Sequence, residues 1–306
     1  MSNAVSKSAS QILRNYPVPL SPGLPAISKD VELSRAMSAS SRSSLFALSR
    51  SQVLYEDPWL IAVNKPFGVY CESVLGSVPS VLDTEDGNCL PELHLANRLD
   101  RDTTGVMLVT KSHKVAAKLV KAFTFHEVTK TYIALCAGSA PKWRKITLKS
   151  GHGRSKFGAW RVYAASDVGR SLPGGSLVRD METTFEVLCI NGEGEFPNSK
   201  NDDATVFVVE EAAARTAASE RDELLVRARP KSGRTHQIRL HCQYLGISIK
   251  GDAKYDGVLE WNGVAYEGHH LHAESLSLRH PVTGNPLVIT TPLPSWATEH
   301  LKKATL

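Results

Sequence analysis

Arg98-Leu-Asp-Arg-Asp-Thr-Thr-Gly-Val-Met-Leu-Val-Thr110 is the stretch on which the reading of this chain turns. It places Arg98, Asp100, Arg101 and Asp102 within five positions, directly before the apolar run 105–110. A short apolar run bounded by polar residues reads as a strand buried on both faces. A loop feeding such a strand is a natural place to present a carboxylate at a cleft, because function concentrates on loops held by rigid elements. The competing reading is a surface loop whose charges pair locally.

Working outward, Val53–Asp57 and Trp59–Val63 read as two short strands turned at Asp57-Pro58, with Asn64-Lys-Pro-Phe-Gly68 as the following loop. Val115, Leu119 and Ala122 share one face at helical spacing, so 113–125 reads as a helix. Thr131–Cys136, Leu224–Arg229, His272–Leu278 and Leu287–Thr291 read as strands. A second helix is expected from Thr235 as N-cap, with Ile238, Cys242 and Leu245 on its buried face and Gly246 ending it. Strands and helices do not alternate regularly, and no repeat is visible. The fold class expected is α+β, with a mixed, largely antiparallel sheet flanked by helices.

The chain has 306 residues, 42% hydrophobic and 22% charged, with a formal charge of +5, which suits a globular body with a real core. No stretch approaches the ~18 apolar residues of a membrane span. The five cysteines (Cys71, Cys89, Cys136, Cys189, Cys242) are odd in number and form no C-x-x-C pair, so they read as buried small residues rather than a disulfide or zinc framework. Residues 1–50 are rich in Ser and carry six Lys/Arg against two acids, with Pro17, Pro19, Pro22 and Pro25 interrupting any long early helix. They read as a flexible basic leader. A basic, Ser-rich, acid-poor leader can be an organelle transit peptide, which leaves mitochondrion or plastid open beside cytoplasm and nucleus, and the plain alternative is a disordered tail or one loosely packed on the body. Residues 51–306 form the expected catalytic domain, interrupted at about 193–223 by an insertion with nine acids and three bases and a short strand near Thr205–Val209.

Two further segments carry chemistry. Residues 227–254 hold seven Lys/Arg and one acid, Asp252, and place Arg234, His236 and Arg239 at the start of the second helix, where backbone N–H groups also attract anions. An arginine as close to the core as Arg239 calls for a buried carboxylate partner. Thr129-Lys-Thr-Tyr132 opens an apolar strand, and such a tyrosine is ordinarily a core residue with a bonded hydroxyl. Residues 139–170 add eight Lys/Arg with Trp143, Phe157, Trp160 and Tyr163 interleaved, a pattern that suits RNA or, more plainly, a solvated loop with core aromatics. His269, His270 and His272 lack an evident Asp or Cys partner, so no metal site is expected there.

Taken together, Val63-Asn-Lys-Pro-Phe-Gly68, Arg98-Leu-Asp-Arg-Asp-Thr-Thr-Gly105, Lys130-Thr-Tyr-Ile-Ala-Leu135, Gly233-Arg-Thr-His-Gln-Ile-Arg-Leu-His241, Gly251-Asp252 and Leu271-His-Ala resemble the RluA-type family of RNA pseudouridine synthases. The resemblance covers most of 53–291 outside the insertion. It implies a pseudouridine synthase fold with a central RNA-binding cleft, and isomerisation of uridine in RNA (tRNA or rRNA) by a monomer, without cofactor, metal or obligate protein partner. By resemblance, Asp100 is the catalytic carboxylate and Arg98 occupies the gap left by a flipped nucleotide. Tyr132 stacks on the uracil and is placed to take the C5 proton, and Arg239 pairs with Asp100. Lys65, Arg101, Arg234, His236 and Ile238 are the expected substrate contacts. The family usually has His where this chain has Asn97 and Ser where it has Thr104.

The reaction breaks the N1–C1′ bond of uridine, turns the base and rejoins it through C5, so it needs no redox step or group donor. That agrees with the lack of a Rossmann glycine motif or P-loop in the sequence. Attack at C1′, addition at C6 and removal of a ribose proton are all open to an ionised Asp100. The rival readings are a silent RNA-binding protein, which would dispense with Asp100 or Tyr132, and a metal-dependent nuclease, which would cluster acids near the basic cleft.

Overall fold

The computed structural model describes residues 16–82, 91–194, 205–212 and 221–304. The strands are β1 (Val53–Glu56), β2 (Leu60–Lys65), β3 (His94–Leu95), β4 (Thr104–Thr110), β5 (Thr129–Gly138), β6 (Lys145–Arg154), β7 (Trp160–Tyr163) and β8 (Arg179–Ile190). They continue with β9 (Thr205–Val208), β10 (Asp222–Pro230), β11 (Ile247–Ile249), β12 (Glu260–Trp261), β13 (Val264–Ala265), β14 (Leu271–Arg279) and β15 (Pro286–Thr290). The α-helices are α1 (Ser28–Ser44), α2 (Cys71–Ser77), α3 (His113–Thr124), α4 (Gln237–Tyr244) and α5 (Ser295–Lys303).

One mixed sheet runs through the molecule in the order β1-β2-β4-β14-β5-β10-β8-β6-β7. Its pairings are antiparallel except β14 with β4 and β9 with β6. The expected α+β class is the one observed. The apolar runs explain themselves, because helices cover both faces of the central strands. Ala134 and Cys136 of β5 pack with Ile238 and Cys242 of α4. The alternate residues Ile133 and Leu135 face Ala297 and Trp296 of α5. In the same way Met107 and Val109 face Val74 of α2, while Val106 and Leu108 face Leu119 of α3. Strands buried on both sides lose the usual period of two and read as continuous hydrophobic stretches.

Two sequence expectations are corrected. The folded body does not begin near residue 50, because α1 docks on it. Arg35 donates from Nη1 to the Gly251 carbonyl and from Nη2 to the Tyr266 carbonyl, both at 2.7 Å, and Arg42 pairs with Glu267 at 2.9 Å. Helix α1 lacks a broad apolar face and is held by side-chain hydrogen bonds, which a search for hydrophobic periodicity passes over. The transit reading of residues 1–15 lies outside the described residues. Thr235 is not the cap of α4 either. The cap is His236, at φ +58° and without a side-chain capping bond, because Gln237 fixes the turn instead. Its Oε1 accepts from Arg234 N and Ser232 Oγ, and its Nε2 donates to the Glu182 carbonyl and Thr183 Oγ1.

The segment 145–163 is the β6–β7 hairpin rather than a loop, with Tyr163 in the core and Trp160 stacked on His152 at 4.7 Å. Of the acidic insertion, 193–194, 205–212 and 221–223 are described; Thr205–Val208 joins β6 as a strand, and Asp222 and Glu223 open β10. Glu195, Asp202, Asp203 and Glu220 lie outside the described residues. The four described cysteines are buried and free. Among the described residues no helix is long and apolar enough to cross a membrane.

Candidate active site

The loop 96–103 leaves its carboxylate beside the junction of three strands. β4 lies against β14, and β14 against β5. The approach is tight at Gly105 (φ +109°), where a Cβ would stand 2.2 Å from the Ala273 carbonyl oxygen, so only glycine lets the loop enter the sheet there. Tyr132 sits opposite Ala273 on one side and Ala228 on the other. Helix α4 brings Arg239 over the same point.

Arg239 is buried and shares its guanidinium between two carboxylates. Nε and Nη2 donate to Asp252 at 2.6 and 2.8 Å, and Nη1 donates to Asp100 Oδ2 at 2.7 Å. Asp252 is fully buried, whereas the Asp100 side chain keeps 28% exposure. Burial alone would raise the pKa of Asp100. The Arg239 charge and hydrogen bond outweigh it and hold the carboxyl well below the usual carboxylate range. The other oxygen, Oδ1, lies 3.9 Å from His236 Nε2 and has no hydrogen-bond partner among the described residues.

The pocket around Asp100 has a volume of about 120 Å³ and is lined by Arg98, Lys130, Tyr132, Arg234, His236 and Ile238 among others. Burial, and then the Asp100 charge, push the Tyr132 phenol well above its ordinary pKa, so it stays protonated at neutral pH. Burial and the Arg239 charge lower His236 to about 3, leaving a neutral imidazole whose Nδ1 meets Tyr255 Oη at 2.7 Å. Lys130 donates to the carbonyls of Lys231 and Ser232 at 3.2 and 2.9 Å and so pins the loop that carries Arg234.

The expected site residues therefore separate. Asp100, Tyr132, Arg239, Arg98, Arg234, His236 and Ile238 meet at one pocket. Lys65 and Arg101 do not line it. Lys65 is fully buried, with its pKa lowered to about 8 by burial, and donates to the carbonyls of Pro66 and Arg101 at 3.0 and 2.8 Å. It braces the Asp100 loop from behind. Arg101 forms a bidentate pair with Asp102, both contacts at 2.7 Å. Arg98 pairs with Glu72 at 2.9 Å and Arg234 with Asp180 at 2.6 Å, each on the rim.

Asp252 was the one acid in a basic stretch, and that isolation was the signal that it partners Arg239. The ring of Tyr255, 5.1 Å from the Arg239 guanidinium carbon, carries no comparable signal in the sequence. The histidine triplet is occupied otherwise. His269 Nε2 meets Thr103 Oγ1 at 2.8 Å, and His272 bonds Thr104 and Thr291, both at 2.7 Å.

An ionised carboxylate, a protonated phenol and a buried guanidinium around an open pocket are an arrangement able to support acid–base or nucleophilic chemistry. Residues 59–244 match the family model described as RNA pseudouridylate synthase. The chain belongs to that family and is an RNA pseudouridine synthase, an isomerase that modifies RNA. It is 62% identical over 295 residues to RNA pseudouridine synthase 1 of Arabidopsis thaliana, covering 95% of this chain and 90% of that protein. It is 30% identical over 249 residues to Ribosomal large subunit pseudouridine synthase C of Escherichia coli K12, covering 79% of this chain and 66% of that one. The human RNA Pseudouridylate Synthase Domain Containing 4 structure shares the fold, with a TM-score of 0.54 at 20% identity over 90% of this chain and 98% of that chain.

Proposed function

We propose that this enzyme isomerises a flipped-out uridine with Asp100 as its catalytic carboxylate. The observation that carries the reading is the Arg239–Asp100 contact at 2.7 Å, beside a pocket that also holds Tyr132. Arg239 ties one oxygen of Asp100 and keeps the group ionised, so Oδ1 is the oxygen offered to the ribose or the base. Tyr132 stacks on the uracil. Because its phenol stays protonated, it takes up the C5 proton only while giving up its own, as a relay rather than as a phenolate base. The walls of the pocket keep the detached base beside C1′, which makes rejoining effectively unimolecular.

Extruding the target costs a few kcal/mol of stacking. Arg98, exposed at the rim, offsets part of that by entering the vacated position, and Arg234 and the start of α4 meet the flanking phosphate. The experiment is pseudouridine mapping on total RNA from cells with the protein, without it, and with Asp100→Asn. The site lost on deletion should stay lost in Asp100→Asn, while the purified variant still binds a transcript of the mapped region. Normal modification by Asp100→Asn would end the assignment.

A further inference from the structure

We propose that Glu32 and Arg35, on the N-terminal helix α1, are positioning residues for the reaction, acting as a strap across the two loops that carry Asp100 and Asp252. The inference rests on the reading of Asp100 given above. Glu32 accepts from Arg101 Nη2 at 3.5 Å, one residue after Asp100, and pairs with Lys254 Nζ at 3.4 Å, two residues after Asp252. Arg35 forks onto two carbonyls at 2.7 Å, that of Gly251, next to Asp252, and that of Tyr266. Glu32 and Arg35 are themselves 3.8 Å apart, one helical turn on the same face. All these contacts lie outside residues 59–244 on one side or the other, apart from Arg101.

Gly251 sits at φ +78°, and a Cβ there would stand 2.0 Å from the Gly268 carbonyl oxygen, so the 251–254 turn packs directly against 266–268, and Arg35 holds one carbonyl of each segment. Lys254 N donates to Asp252 Oδ1 at 3.1 Å. A displacement of this turn therefore moves Asp252, the bidentate seat of Arg239, and through it the nitrogen that holds Asp100. Helix α1 contacts the turn and the Asp100 loop at once, so it fixes the spacing between the two carboxylates that Arg239 bridges. A leader cleaved near residue 50 would take the strap with it, whereas cleavage ahead of residue 28 would leave it in place.

The test uses the full chain with Arg35→Met and the nearly isosteric Glu32→Gln, assayed on the transcript that the mapping identifies. Arg35→Met should lower kcat by about ten- to a hundredfold with KM changed less than about twofold, since small misplacements cost that much in rate. The acid limb of kcat/KM should move to higher pH, because a loosened Arg239 lets Asp100 take up a proton more readily. Glu32→Gln should move both in the same direction by less. Wild-type kcat and acid limb in both variants would overturn the inference. So would a rate loss that only follows the folded fraction in a thermal melt, with the acid limb unmoved. Asp100→Asn runs alongside: if it keeps turnover, the reading of Asp100 has failed, and if it is dead while Arg35→Met is normal, only the strap has.

Discussion

Arg239 and Asp252 form a bidentate pair at 2.6 and 2.8 Å in which neither side chain has appreciable contact with water. The pair is the foundation on which the exposed Asp100 is held, because the third nitrogen of the same guanidinium reaches it. Arg239→Ala would strand Asp252 in the interior without a counter-charge. Breaking a buried pair from one side costs about 3–5 kcal/mol, so the urea midpoint should fall by a corresponding amount and turnover should be lost. Burial works to raise the Asp252 pKa, and the Arg239 charge and hydrogen bonds more than reverse it. The stability this adds is present above the unfolded carboxylate pKa of about 3.9 and is lost as pH falls through the lower folded value. A wild-type midpoint in Arg239→Ala at neutral pH would show that the pair does not brace the fold.

The histidines set a separate and earlier acid response. His241 is fully buried between Ser150 and Thr183, each 2.9 Å away, and burial lowers its pKa to about 3. His269 is lowered to about 4 by burial and the Arg239 charge. Both stay neutral in the folded chain while the unfolded chain protonates them below about pH 6.5. The unfolded state then binds more protons, so stability is full above that pH and declines as pH falls from about 6.5 toward about 4. The slope approaches about 1.4 kcal/mol per pH unit for each such histidine. Urea unfolding across that window should show the decline before any buried carboxylate titrates. Stability that is level from about pH 7 to about pH 5 would contradict it.

Tyr132→Phe isolates the hydroxyl from the ring. The ring keeps its packing against the core cluster of β5, β10 and α4, so RNA affinity should change little. Loss of a positioned proton carrier costs typically about a hundredfold or more in rate, and single-turnover pseudouridine formation should slow by that order. The raised phenol also predicts that wild-type kcat shows no rise across mildly alkaline pH of the kind a phenolate base would give. Wild-type rates in Tyr132→Phe would remove the hydroxyl from the chemistry.

How far the sequence carried these conclusions depended on the kind of force involved. The strands around Val106–Val109 and Ile133–Cys136 were legible because burial on both faces writes itself as an unbroken apolar run. Helix α3 was legible because Val115, Leu119 and Ala122 recur on one face, whereas its Ser112 cap came only with the fold. Helix α1 was not, since its attachment lies in Glu32, Arg35 and Arg42, whose partners are far along the chain. Lys65 and Arg101 were read as substrate contacts because a cation in a motif looks the same whether it faces a phosphate or a carbonyl. Only the fold shows that Lys65 points to the backbone of the Asp100 loop. Asp252 was visible as an isolated acid, but its role needed the turn at Gly251 to bring it under α4.

The rim arginines give the last prediction. Arg234 is held to the exposed Asp180, and Arg98 to the exposed Glu72. An exposed ion pair contributes little, about 0–1 kcal/mol, so either acid gives way readily to a phosphate. On the proposed reading, RNA phosphates would have to displace these acids from the arginines. Asp180→Asn should therefore tighten binding of the mapped transcript by a few-fold at low salt, whereas Arg234→Ala should weaken it. Arg234→Ala should also reduce the slope of log Kd against log salt by about 0.7–0.9, the amount expected for one lost phosphate contact. Asp180→Asn should leave that slope unchanged or slightly steeper. Binding titrations over a range of salt would decide between the readings. If Arg234→Ala leaves the slope unaltered, Arg234 holds the 180–183 strand and makes no phosphate contact.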